Sequence, residues 1–191
     1  MKTIEIKGTK REALGKKDSK KLRVDGNVPC VLYGGTEPIH FSTSAKDLKK
    51  ILYTPNVYLI DLDVDGTTHR SIVQDTQFHA VEDEVLHVDF LQVSDDKPVK
   101  IEVPVKVNGY AEGMRKGGKM KLNLRRLKVK ALPQNLPDAI PVNIDALDLG
   151  QSFKVGELKM DNIEFLNAKS VPVVTIMITR AAKAAAASSG K

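Results

Sequence analysis

Val57-Tyr58-Leu59-Ile60-Asp61-Leu62-Asp63-Val64, followed by Asp65-Gly66 and then Thr67-Thr68-His69-Arg70-Ser71-Ile72, is the stretch that decides the fold class. Its first eight residues have the composition and alternation of a half-buried strand. Asp-Gly between two such runs is the pair that a tight hairpin turn favours, because its central positions need positive φ. The centre of the chain therefore reads as antiparallel β, and so do its flanks. Upstream, 3–7 alternates with Ile4 and Ile6 on one side, 28–33 is a strand ended by Gly34-Gly35, and 38–43 is a third. Ser44 caps a short helix that buries Leu48, Ile51 and Leu52. Between the first two strands, 8–26 is basic and lacks a strong apolar period. Its middle starts a short helix with Asp18 or Ser19 as N-cap. Downstream, 67–81 returns as one long strand and 85–93 is another.

The polar stretch Ser94-Asp95-Asp96-Lys97-Pro98 marks the domain boundary. The second half reads as an all-β domain over 99–179, with short strands at 99–107, 120–132, 140–144, 152–155, 163–166 and 171–179. The span 120–132 changes parity: Met120, Leu122 and Leu124 share one side, and Leu127, Val129 and Ala131 the other. A single strand with one buried face changes parity only through an extra residue, so a β-bulge is expected at Arg125-Arg126, with Lys121, Arg125, Lys128 and Lys130 kept on one exposed face. From 180 to 191 the chain is Ala, Lys, Ser and Gly and reads as a flexible tail.

Composition narrows the function. The chain has 191 residues, 5% of them aromatic, and one cysteine, which excludes a disulfide framework and a cysteine zinc cluster. The longest apolar stretch, 171–178, is broken by Pro172 and Thr175 and is too short to cross a bilayer. No apolar leader follows Met1, so a soluble intracellular protein is expected. The net charge of +6 is unevenly spread. Lys7, Lys10, Arg11, Lys16, Lys17, Lys20, Lys21 and Arg23 face only Glu12, Asp18 and Asp25. Arg115, Lys116, Lys119, Lys121, Arg125, Arg126, Lys128 and Lys130 lie in a run without acids, 113–137. The rest of the chain therefore carries a net charge of about −7. Two basic blocks on an acidic body point to a polyanionic partner; two solvated lysine-rich surfaces are the plainer alternative.

Enzyme motifs are sparse. There is no nucleophile elbow and no phosphate-binding loop. The three glycines in 113–118 read as a flexible hairpin tip, and Cys30 as a small buried hydrophobe. Leu86, Val88 and Phe90 hold the apolar parity of their strand, so His87 and Asp89 share the polar face; Gln77 and His79 share one face of the preceding strand. If the two strands pair, the four polar residues lie on one surface. A metal-dependent enzyme built on His79, His87 and Asp89, a plain surface His–Asp pair, and a polar face that docks on a partner are the competing readings. The third uses most of what is present. Cations supply phosphate contacts, while Gln, His, Asp and Tyr33 supply hydrogen bonds to base edges and sugars in the shallow minor groove of RNA. No cofactor and no metal are expected.

An ordered set of pieces carries a family resemblance: Arg11, Gly15-Lys16, Ser19-Lys20-Lys21-Leu22-Arg23, Gly26, Val28-Pro29, Leu32-Tyr33-Gly34-Gly35, Gln77-Phe78-His79 and His87-Val88-Asp89-Phe90. With Val103-Pro104-Val105, Gly109, Gly117-Gly118, Pro137, Ile140-Pro141 and Leu149-Gly150 in the second half, the chain resembles the family of bacterial ribosomal large-subunit protein twenty-five, in its long form of the general stress protein Ctc type. The resemblance covers 1–179. It implies a mostly β chain whose first domain, 1–94, is a small β-barrel with short helices that binds 5S rRNA in the central protuberance of the large subunit, in the cytoplasm and away from membranes. By position, Arg11, Lys16, Ser19, Lys20, Lys21 and Arg23 take the basic-loop role, and Tyr33, Gln77, His79, His87 and Asp89 the groove-facing role. Lys17-Asp18 departs from the small residues common there. Lysines at 20 and 21 replace the usual arginines and lose bidentate phosphate geometry. The second domain is expected to lie against neighbouring ribosomal proteins or 23S rRNA through Lys121, Arg125, Lys128 and Lys130. A stress factor that visits ribosomes only transiently is the alternative to a constitutive ribosomal component.

Overall fold

The computed structural model describes residues 2–180, 182 and 183, which fall into two units. The first comprises Met1–Val99 together with Leu132–Asp138, and the second Lys100–Ala131 and Ala139–Lys191.

The first unit is built on β1 (Lys2–Lys10), α1 (Lys16–Val24), β2 (Asn27–Tyr33), β3 (Ile39–Ser44), α2 (Ala45–Leu52), β4 (Tyr58–Val64), β5 (Thr67–Phe78) and β6 (Val85–Gln92). The six strands close into a barrel in the order β1-β3-β2-β6-β5-β4, so no ladder edge is left open. The hairpin β4–β5 turns at Asp65 (φ 50) and Gly66 (φ 86), the positive-φ pair that its Asp-Gly sequence favours. Two parallel pairings, β1 with β4 and β2 with β6, complete the closure. Ile6, Val28, Cys30, Leu32, Phe41, Ile60, Leu62, Val88 and Phe90 fill the interior, with Leu48 and Ile51 of α2 packed among them. The rings of Phe41 and Phe90 lie 5.6 Å apart at a tilt of 44°. Ser44 caps α2 by accepting from the Lys46 amide.

The second unit holds β7 (Val99–Asn108), whose first residue belongs to the first unit, α3 (Glu112–Arg115), β8 (Lys119–Leu122), β9 (Arg126–Ala131), β10 (Ile140–Asn143), β11 (Ser152–Lys154), β12 (Ile163–Phe165) and β13 (Pro172–Met177). They form a four-stranded sheet, β10-β7-β9-β12, and a three-stranded sheet, β11-β13-β8. Leu127 and Val129 of the first sheet and Val174 and Ile176 of the second are fully buried.

Several sequence expectations are corrected. Residues 120–132 do not form one bulged strand. The chain leaves the three-stranded sheet after Leu122 and enters the four-stranded sheet at Arg126, so the parity change reflects a change of sheet. Lys121 pairs opposite Thr175, whereas Lys130 pairs opposite Glu164, so the four cations do not share one face. The glycine-rich 113–118 is no free hairpin tip. Gly113 starts within α3 and is buried, and a Cβ there would meet the main chain of Asp148 and Leu149 within 2.7 Å. Helix α1 begins three or four residues earlier than expected, with Gly15 at its N-cap and Asp18 in its first turn, where a carboxylate favours the helix dipole. Of the tail over 180–191, Arg180, Ala182 and Lys183 lie in a helical turn, with Ala182 buried; 181 and 184–191 lie outside the described residues.

Candidate nucleic-acid interface

The outer face of the barrel carries the candidate site, and strand register places its residues. Side chains alternate across β2, so Val28, Cys30 and Leu32 point inward and Val31 and Tyr33 outward. In β6, Val88 and Phe90 point inward, which turns His87 and Asp89 outward. Asp75 of β5 pairs with Asp89, Asp89 with Val31 of β2, and Val31 with His40 of β3; the Arg11 amide then donates to the His40 carbonyl at 2.9 Å. One row therefore runs Asp75, Asp89, Val31, His40, Arg11 across the barrel wall. Gln77 pairs with His87 in the adjacent row, and Tyr33 lies opposite Leu91 on the other side.

His87 Nδ1 lies 2.8 Å from Asp89 Oδ1, both side chains being partly exposed. A carboxylate at Nδ1 fixes the orientation of the ring. Partial burial, and then the charges of Asp89 and Asp75, raise the Tyr33 phenol above its ordinary pKa, so its hydroxyl stays a donor. The face thus offers carboxylate acceptors (Asp75, Asp89), an imidazole (His87), a donor–acceptor amide (Gln77) and a hydroxyl (Tyr33). That set matches the 2′-hydroxyls and the guanine amino group exposed in an RNA minor groove.

Helix α1 borders this face. It buries no residue; only Ser19 and Leu22, three apart, are partly covered, and Lys16, Lys17, Lys20, Lys21 and Arg23 are exposed. Two ties hold it to the barrel. Arg11 donates through Nη2 to Ser19 Oγ at 3.2 Å and to the Ala13 carbonyl at 3.1 Å, and Arg23 Nε donates to the Leu86 carbonyl at 3.0 Å. The helix ends at Asp25, and Gly26 with φ 77 turns the chain into β2. Ser19 is thus a tether rather than an outward contact, since its own hydroxyl donates to the Gly15 carbonyl.

His79 departs from the expected arrangement. The strand β5 ends at Phe78, and the ladder shifts register between Val73 and Asp75 and again between Gln77 and Phe78. The first shift brings Asp75, absent from the sequence reading, onto the face; His79 lies beyond the end of β5. His79 Nδ1 instead accepts from the Glu82 amide at 3.3 Å within the β5–β6 turn. The trio His79, His87 and Asp89 is therefore not assembled, and no cluster of three or more His, Cys, Asp or Glu suited to a metal occurs among the described residues. None of the described helices is long and apolar enough to cross a membrane.

In the second unit, Lys128 Nζ lies 3.7 Å from Glu102, Lys130 Nζ 3.5 Å from Glu164, and Lys116 Nζ 2.7 Å from Asp148. The acid-free run in sequence is thus met by acids from other strands and loops.

Comparison with known proteins gives two consecutive family matches. Residues 6–90 match the ribosomal L25p family, and residues 98–180 match the C-terminal domain of ribosomal protein TL5. The chain is 48% identical to the large ribosomal subunit protein bL25 of Phocaeicola vulgatus and 45% identical to that of Bacteroides fragilis, in each case over 100% of both chains. It is 42% identical to bL25 of Porphyromonas gingivalis over 97% of this chain and 98% of the relative.

Proposed function

The chain belongs to the bL25 family of large ribosomal subunit proteins, in its two-domain form, and from that premise we propose that its barrel binds 5S rRNA in the central protuberance. It is a structural component of the large subunit and not an enzyme, and it works in the cytoplasm, where ribosomes assemble. In this reading Lys16, Lys20, Lys21, Arg23 and Arg11 neutralise phosphates, while Tyr33, Gln77, His87, Asp89 and Asp75 read the minor groove. Ser19 and His79 support the surface from behind, the first by holding α1 and the second by shaping the turn.

The observation that carries the proposal is the Arg23–Leu86 tie, which sets a cationic helix at a fixed distance from the polar row. Neither half alone distinguishes one nucleic acid from another. Together they require a duplex whose backbone and minor groove are spaced to match. In the second unit, Lys121 and Arg125 remain as candidate contacts to 23S rRNA or a neighbouring protein; Lys128 and Lys130 face acids of their own unit.

The test is binding of the full chain to 5S rRNA and to an unrelated RNA duplex of equal length across a salt series. Preference for 5S rRNA in the wild type, reduced by Lys20→Ala with Lys21→Ala, supports the proposal; equal affinity for both RNAs refutes it.

A further inference from the structure

The β5–β6 turn carries a surface that the RNA reading leaves unused. Val81 is 84% exposed at its tip, and Tyr53 and Phe78 are 51% and 43% exposed beside it. The two rings meet edge to face with centroids 6.1 Å apart, and the Tyr53 hydroxyl donates to the Asp83 carbonyl. Glu82, Asp83 and Glu84 are three consecutive exposed acids on the same turn.

This turn is pre-shaped. The His79 amide donates to the Glu84 carbonyl at 2.7 Å and the Asp83 amide to the His79 carbonyl at 3.2 Å, while His79 Nδ1 accepts from the Glu82 amide. Asp83 holds φ 53, a left-handed conformation that its short polar side chain tolerates. The Glu82 carboxylate lies 3.8 Å from the same His79 nitrogen. Lys50 of α2 is engaged by Asp47 at 2.8 Å. Little ordering is left for a partner to impose, which lowers the cost of association.

We propose that Tyr53, Phe78 and Val81, ringed by Glu82, Asp83 and Glu84, form a docking surface for a lysine- and arginine-rich segment of a neighbouring protein that inserts one apolar side chain against the rings. Three adjacent carboxylates repel phosphate, so RNA does not suit this patch; a cationic protein segment satisfies the acids and covers the apolar surface together. The inference goes beyond the 5S rRNA reading and does not depend on it.

The test uses the full chain as the sole copy in cells, with photoreactive benzoylphenylalanine in place of Val81, and irradiates purified large subunits. A crosslink to a lysine- and arginine-rich segment of a ribosomal protein is expected. A crosslink to rRNA, or none, overturns the proposal. As a second measurement, Glu82→Lys with Glu84→Lys should weaken retention of the protein on large subunits in rising salt about tenfold, while free 5S rRNA binding holds at the wild-type level. Unchanged retention overturns the proposal; loss of RNA binding alone would bear on the barrel face instead.

Discussion

Arg23 of α1 and Leu86 of β6 are 63 residues apart in sequence, yet the guanidinium Nε and the main-chain carbonyl meet at 3.0 Å. The bond reaches the strand one residue before His87. In the proposed reading Arg23 has two tasks, a strap through Nε and a phosphate contact through the outer nitrogens. Arg23→Ala should lower 5S rRNA affinity and reduce the slope of log K against log salt by about 0.7–0.9, one phosphate's share. Lys20→Ala should give the same slope change with a smaller loss of affinity, because no strap is cut. Identical affinity losses in the two variants would contradict the double role.

Asp89 holds His87 Nδ1 and faces Asp75 across the ladder. Asp89→Asn removes a charged acceptor and frees the imidazole, and should cost about 1.5–3 kcal/mol of RNA binding. The salt slope should stay within error of wild type, since no phosphate contact is lost. A changed slope, read from the same titrations, would place Asp89 near the RNA backbone instead.

Gly8 touches the barrel centre. A Cβ there would lie 2.6 Å from Cδ2 of Phe41, whose ring is fully buried against Phe90. Gly8→Ala should destabilise the protein by about 1–3 kcal/mol, the usual range for overpacking, as read by urea unfolding. A variant as stable as wild type would mean that the ring can move aside at no cost.

Burial pushes the Cys30 thiol well above its ordinary value, with the charge of Asp89 adding to the shift. The native state therefore keeps the neutral thiol where the unfolded chain, with a pKa of about 8.5, forms thiolate. A raised folded-state value means that this contribution is intact below about pH 8.5 and is lost progressively as pH rises above it. Alkylation by iodoacetamide at pH 9 should track global unfolding in urea. Rapid labelling of the native protein would show that β2 opens locally.

The barrel strands were legible because each has one wet face, and the period of two survives in residues such as Ile60, Leu62 and Val64. That His87 and Asp89 share the polar side of their strand followed from the same pattern. Asp75 was not legible. An extra residue between Val73 and Asp75 flips its side, and nothing local in Val73-Gln74-Asp75 marks that shift. His79 was misplaced because β5 ends at Phe78, before the long strand expected over 67–81 is complete. Over 120–132 the error had another cause: a parity change looks alike whether a strand bulges or the chain crosses to a second sheet. The cations there looked unopposed because Glu102 and Glu164, their partners, lie outside the run.

The parallel pairing of β2 with β6 joins Val31 to Asp89 and leaves everything between them to be made first. During synthesis α1 emerges early and is already a polycation, but the row beside it is absent until residue 92 is available. A chain released before β6 should bind RNA without preference for 5S rRNA, and a truncation ending at Glu84 checks this directly. If the barrel reads 5S rRNA as proposed, selectivity arrives in time after affinity: the nascent protein is first a sticky cation and becomes a discriminating one only when its sixth strand closes the wall.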